Sequence, residues 1–139
     1  WERACILAGA VGAMERQLGD CLNYARDRRQ FGQSIGKFQS ISNRLADMKV
    51  RLETARLLLY KVAWLIKSGK SAALEAAMAK LYVSEAYVQS SLDAIRIHGG
   101  YGYMTEFEVE RSLRDAIGGT LYSGTSDIQR NIIARLLGV

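Results

Sequence analysis

Proline is absent from all 139 residues, and the chain holds only two cysteines and one histidine. Proline disrupts helix interiors more than any other residue, so its absence favours a fold built from long helices. Cys5 and Cys21 cannot make a disulfide framework. If both lie on one helix they stand roughly 24 Å apart at ~1.5 Å per residue and cannot pair. His98 alone leaves too few ligands for a structural zinc site, so no metal is expected. No apolar run reaches the ~18 residues of a membrane span, because Lys61 and Lys67 break the best candidate around Leu57 to Ile66. A transmembrane segment is excluded. An initiator methionine is missing too: Trp1 opens the chain, an amphipathic pattern is running by Leu7, and no targeting segment is visible. A piece of a longer, cytoplasmic protein is the expectation.

What is present is ordinary for a protein with a real core: 49% hydrophobic and 24% charged residues, enough for one domain over 1–139. The 19 basic residues exceed the 14 acidic ones, a net +5 that suits a phosphate-bearing ligand or an acidic partner. Acids and bases interleave along the helical segments, which argues against a nucleic-acid-tracking face. Helical periodicity is strong. Leu7, Val11, Met14, Leu18 and Cys21 form a first stripe. Ile41, Leu45, Met48, Leu52, Ala55, Leu59, Val62 and Ile66 form a second. Gly69 is placed to end that helix, and the short turn sends a third helix back antiparallel. Its expected stripe is Leu74, Met78, Leu81, Val88, Leu92 and Ile95, with Glu85 interrupting it and calling for a cation from a neighbouring helix. Capping boxes at Thr105–Glu108 and Ser126–Gln129 predict two shorter helices. The fold predicted is an all-α, antiparallel up-down helical bundle of three long and two shorter helices, with no strand.

Three loops carry more than a bundle needs. Arg28, Arg29, Gln30, Phe31 and Gly32 offer fork-shaped donors and an aromatic ring. Arg96, His98, Gly99 and Gly100 combine charge with backbone that a ligand can approach closely. Tyr122, Ser123, Gly124, Thr125 and Asp127 lead into a helix N-terminus, a natural anion site.

In order, the segments Arg28-Arg-Gln-Phe-Gly-Gln-Ser-Ile-Gly-Lys-Phe-Gln39, His98-Gly-Gly-Tyr-Gly-Tyr103, Leu113-Arg-Asp-Ala116 and Gly124-Thr-Ser-Asp-Ile-Gln-Arg130 span the chain. Through them the sequence resembles the carboxy-terminal helical domain of the acyl-CoA dehydrogenase family. The resemblance implies an FAD-dependent oxidoreductase with an amino-terminal helical domain and a middle β domain outside this chain. It implies a homo-oligomer, dimer or tetramer, because the family binds FAD across a subunit interface. Arg28, Gln30, Phe31 and Gln39 resemble contacts to the adenosine diphosphate part of a neighbour's FAD. Arg96, Gly99 and Gly100 resemble the segment meeting the pyrophosphate, with Arg96 standing where glutamine is usual. Thr125 and Asp127 match positions beside the flavin, and Arg3, Tyr122 and Gly124 positions beside the substrate. His98 is expected to pack or hydrogen-bond near the cofactor.

The implied reaction is α,β-dehydrogenation of an acyl-CoA thioester, as in fatty acid metabolism, with an electron-accepting flavoprotein or oxygen downstream. Such chemistry needs a carboxylate base and donors aimed at the thioester oxygen. Here the usual glutamate of the last loop is replaced by Ser123, whose hydroxyl is far too weakly acidic to act as the base. One branch, resembling isovaleryl-CoA dehydrogenase-like members, carries its glutamate on the first helix directly before an arginine. Glu2 before Arg3 matches, so Glu2 is expected as the base and Ser123 as a backbone N–H donor only. Three alternatives stay open: a dehydrogenase of carrier-protein-tethered acyl or aminoacyl groups, a member that has lost dehydrogenation, and a non-catalytic helical oligomerisation module.

Overall fold

The computed structural model describes residues 2–139, with side chains from Ile6 onward. Three long helices, α1 (Glu2–Asp27), α2 (Gln39–Lys67) and α3 (Ala73–His98), are followed by a one-turn α4 (Gly100–Tyr103), α5 (Val109–Gly119) and α6 (Ser126–Leu137). The all-α bundle is as expected. No described helix is long and apolar enough to cross a membrane.

The first stripe is buried in full: Leu7, Val11, Met14, Leu18 and Cys21 all enter the core. The second turns the same way, with Met48, Leu52, Ala55 and Val62 buried and Ile41, Leu45, Leu59 and Ile66 packed at the margin. Gly69 takes φ +68 after α2, as the turn there requires.

The α3 stripe is a correction. Met78 is 39% exposed, and the face that α3 buries carries Ala77, Ala79, Val83, Ser84, Ala86, Ser90, Ser91 and Ala94. The reason is position: α3 packs against α1, α2, α5 and α6, so neighbours on several sides approach it over small residues. Polar partners come with it. Gln17 donates to Ser91 Oγ at 3.1 Å, and Arg44 and Arg51 donate to the two oxygens of buried Asp93 at 2.8 and 2.9 Å.

Two further expectations need correcting. A minimal hairpin, β1 (Arg29–Gln30) against β2 (Gln33–Ser34), replaces the plain loop after α1. Thr105–Phe107 is a 3₁₀ turn, and Glu108 precedes α5 at φ +54 with no side-chain cap, so no capping box forms there.

Cys21 lies buried on the inner face of α1. Burial, with Asp20 and Asp93 adding to it, pushes its thiol up to about 12. A thiol that holds its proton longer when folded contributes stability in full below its ordinary pKa of about 8.5, and loses it as pH rises through the folded value. Native protein at pH 8 should therefore resist alkylation at Cys21, and denaturant should release it. Peptide mass spectrometry showing equal labelling in both states would contradict this burial.

Candidate functional site

The carboxy ends of α1 and α3 and the start of α2 meet at one end of the bundle. There they enclose an open cleft of about 640 Å³. Its lining includes Tyr24, Arg28, Gln30, Phe31, Phe38, His98, Gly99, Gly100 and Tyr101, so five of the expected contacts come together. The hairpin explains how. Phe31 at φ +52 and Gly32 at φ +81 are the two central residues of its turn, a pattern that fits tight hairpins. Glycine adopts this freely, whereas a bulky aromatic does so at a cost of about 1–3 kcal/mol. Arg29 Nη2 braces the turn by donating to Gly32 O at 3.0 Å. The strained Phe31 gains little burial, standing 92% exposed at the mouth of the cleft.

The opposite wall is the end of α3. His98 stacks on Tyr24 with ring centroids 4.2 Å apart and donates from Nδ1 to Ala94 O at 2.8 Å. That bond fixes the tautomer and leaves Nε2 without a proton when the ring is neutral. Gly99 ends the helix at φ +61, ψ −132, a conformation open essentially to glycine alone. Arg28 sits over the Tyr101 ring, 5.5 Å from its centroid. A cation, exposed aromatic rings and glycine backbone thus face one space, a donor set suited to a nucleotide with its phosphates. Gln39 and Arg96 do not line it. Gln39 is exposed on the first turn of α2, and Arg96 turns its guanidinium to Asp93 at 3.4 Å.

A second constellation lies elsewhere along α3. Lys80 is buried and donates from Nζ to Gly119 O at 2.8 Å, placing a cation at the carboxy end of α5. Lys80 and His98 are 18 residues apart on α3, about 27 Å at 1.5 Å per residue. Beside Lys80 runs a narrow crevice lined by Ile6, Leu7, Ser84, Tyr87, Tyr122 and Ser123, among others. Burial, reinforced by Asp115, raises the Tyr87 phenol, which keeps it protonated and able to donate. Ser123 holds φ +54 and Gly124 φ +90 in the turn that enters α6.

Around that turn the structure revises the sequence reading. Thr125, not Ser126, caps α6, its Oγ1 accepting from Ile128 N at 3.3 Å. Ser126 instead donates to Glu85 Oε1 at 2.6 Å, so the partner expected to be a cation is a hydroxyl. Glu85 is half-buried and remains within reach of water. Asp127 is exposed and paired with Arg130 at 2.9 Å. Tyr122 lays its ring over Gly118 and Gly119, where an added Cβ would meet it at 3.5 Å. The side chains of Glu2 and Arg3 lie outside the described residues. Sequence reasoning missed Lys80, Tyr24 and Gln129. A lysine between apolar positions of a central helix was the one available signal, for Lys80.

Residues 1–138 match the family model described as acyl-CoA dehydrogenase, C-terminal domain. An L-prolyl-[peptidyl-carrier protein] dehydrogenase of Pseudomonas fluorescens is 52% identical over 99% of this chain and 36% of its own length. The crystal structure of a prolyl acyl carrier protein oxidase superposes with TM-score 0.98 at 60% identity, over 100% of this chain and 37% of the other. Butyryl-CoA dehydrogenase from Megasphaera elsdenii gives TM-score 0.94 at 41% identity, over 97% and 35%. The chain spans about a third of the length of the relatives it matches.

Proposed function

Because this chain belongs to the acyl-CoA dehydrogenase family, we propose that the whole protein is an FAD-dependent oxidoreductase that dehydrogenates an acyl thioester at its α and β carbons. An amino-terminal helical domain and a middle β domain complete it in this reading. The observation that carries the reading is the cleft uniting Arg28, Gln30, Phe31, Gly99 and Gly100, with Phe31 held in a strained, exposed conformation. Those residues, with Gln39 beside them, would hold the adenosine diphosphate half of an FAD. Thr125 and Asp127 would stand by a flavin ring. In this reading the two groups belong to different FAD sites, each shared between subunits of a homo-oligomer.

Bound FAD supplies the hydride acceptor. The chain's own residues then have two tasks. One is to take the α-proton. Ser123 cannot, and Glu2 is the proposed base: it precedes Ile6 by one helical turn, and Ile6 shares the crevice with Ser123. The other is to stabilise charge growing on the thioester oxygen, for which the backbone of the Ser123–Gly124 turn offers N–H donors.

A second reading concerns the substrate's handle. Identities of 60% and 52% to proteins named for carrier-bound prolyl groups exceed the 41% to butyryl-CoA dehydrogenase. They favour an aminoacyl thioester on a carrier protein over an acyl-CoA. Mixing the full-length flavoprotein anaerobically with prolyl-carrier protein or butyryl-CoA separates the two. Flavin bleaching by the first alone is expected, and bleaching by butyryl-CoA alone would restore the acyl-CoA reading.

A further inference from the structure

We propose that Lys80 is a positioning residue of the thioester site that acts through the base, its buried ammonium holding the Glu2 carboxylate in the charged form that takes the α-proton. The inference rests on the thioester-oxidation reading above, with Glu2 as the base.

Burying a lysine is costly, so its presence in a core calls for a reason. Lys80 is 2% exposed on α3, and its Nζ donates to Gly119 O at 2.8 Å. A carbonyl at the carboxy end of a helix favours the ammonium over the neutral amine. The same side chain lines the crevice enclosed by Ile6, Leu7 and Ser123, and it is the one charged side chain among the crevice's described lining. Glu2 and Ile6 are four residues apart on α1 and so share one face of that helix. Helical side chains lean toward the amino end, so the space Ile6 borders lies over the turn that starts at Glu2.

Two effects compete on a carboxyl group at such a place. Apolar walls, here Ile6, Leu7 and Ala10, favour its neutral form, whereas a cation within about 4–6 Å lowers its pKa by 1–3 units. Only the charged form can accept the α-proton. The other titratable and charged groups come from each neighbouring element. Tyr87 of α3 and Tyr122 also line the crevice, and burial and Asp115 of α5 raise the Tyr87 phenol against the pull of Arg16 of α1. Lys61 of α2 pairs with Glu75 of α3 at 3.5 Å, and Glu85 accepts from Ser126 of α6. Arg3 precedes Leu7 by one turn and is kept in every variant below, so its charge is a constant.

The test uses the full-length flavoprotein and stopped-flow flavin reduction by whichever of the two thioesters above reduces it, followed across the pH range in which the base titrates. Lys80→Met removes the charge, and Lys80→Gln removes it while keeping a donor for Gly119 O. In both, the acid limb of the reduction rate should move up by roughly one unit or more. Each unit makes the variant about tenfold slower than wild type on the acid side, while the rates converge at high pH. Lys80→Arg keeps the charge and should leave the limb in place. A lysine that serves structure alone would lower the rate by one factor at every pH. That result, loss of flavin from both neutral variants, or a Lys80→Arg limb that moves with theirs overturns the inference alone, provided Glu2→Gln still slows reduction. An unimpaired Glu2→Gln enzyme, or a wild type that binds flavin and oxidises no thioester, overturns the parent reading and the inference with it.

Discussion

Replacing Glu2 by glutamine in the full-length enzyme is expected to lower turnover by roughly 10²–10⁴-fold while flavin remains bound. An α-proton beside a thioester is only weakly acidic, so its removal depends on a carboxylate at contact distance. The last loop offers none, since Ser123 stands where the family usually has its glutamate. Glutamine keeps the size of Glu2 and removes its basicity, so KM should move little against the change in kcat. Ser123→Ala is the matched control. The proposed contribution of residue 123 is its backbone, which alanine retains, so a change of less than about tenfold is expected, far below the loss of a base. Stopped-flow reduction of the flavin by substrate reads both variants directly. A Glu2→Gln enzyme reduced at the wild-type rate, or a Ser123→Ala enzyme as impaired as Glu2→Gln, would move the base elsewhere.

Asp93→Ala is expected to destabilise this domain by about 3 kcal/mol. Asp93 is 4% exposed on α3 and accepts from Arg44 and Arg51 of α2, with Arg96 at 3.4 Å on its own helix. Removing the carboxylate leaves three guanidinium groups facing one another beside the core. Breaking a buried ion pair by deleting one partner costs about 3–5 kcal/mol. Here the low end applies, because solvent reaches Arg44 and Arg96 and screens them. Added salt should recover part of the loss, since it weakens the repulsion left behind. A urea midpoint for Asp93→Ala equal to that of the wild type would show that the cluster holds nothing together.

The parts of this fold that could be read from the chain are those where one face of a helix does all the burying. α1 and α2 each have a wet side, so large apolar residues repeat every three or four positions and mark the inner face directly. α3 has neighbours on several sides, and its contacts run through alanine and serine, which carry little hydrophobic signal. The caps failed for a local reason. Thr125 and Ser126 are both good capping residues, and only the backbone turn decides which of them stands outside the helix. At the candidate site, motif order identified the cleft residues. It did not anticipate that Arg96 faces Asp93, because an i,i+3 pairing on one helix looks the same as a free arginine in a string of letters. Gln129 was hidden for a related reason. In the sequence it completes the Ser126–Gln129 capping box, and only the fold shows its amide closing over the preceding turn instead.

The placement of both constellations on α3 constrains how this domain can change over evolutionary time. Between Lys80 and His98 the backbone is unbroken helix, and each residue advances it by about 1.5 Å and 100°. Inserting or deleting a single residue there would swing one constellation around the helix axis by more than a quarter turn relative to the other. The α2–α3 turn and the segment between α4 and α5 can change length without disturbing that angle. Insertions and deletions among natural variants should therefore collect in those connections and leave the stretch from Lys80 to His98 at constant length.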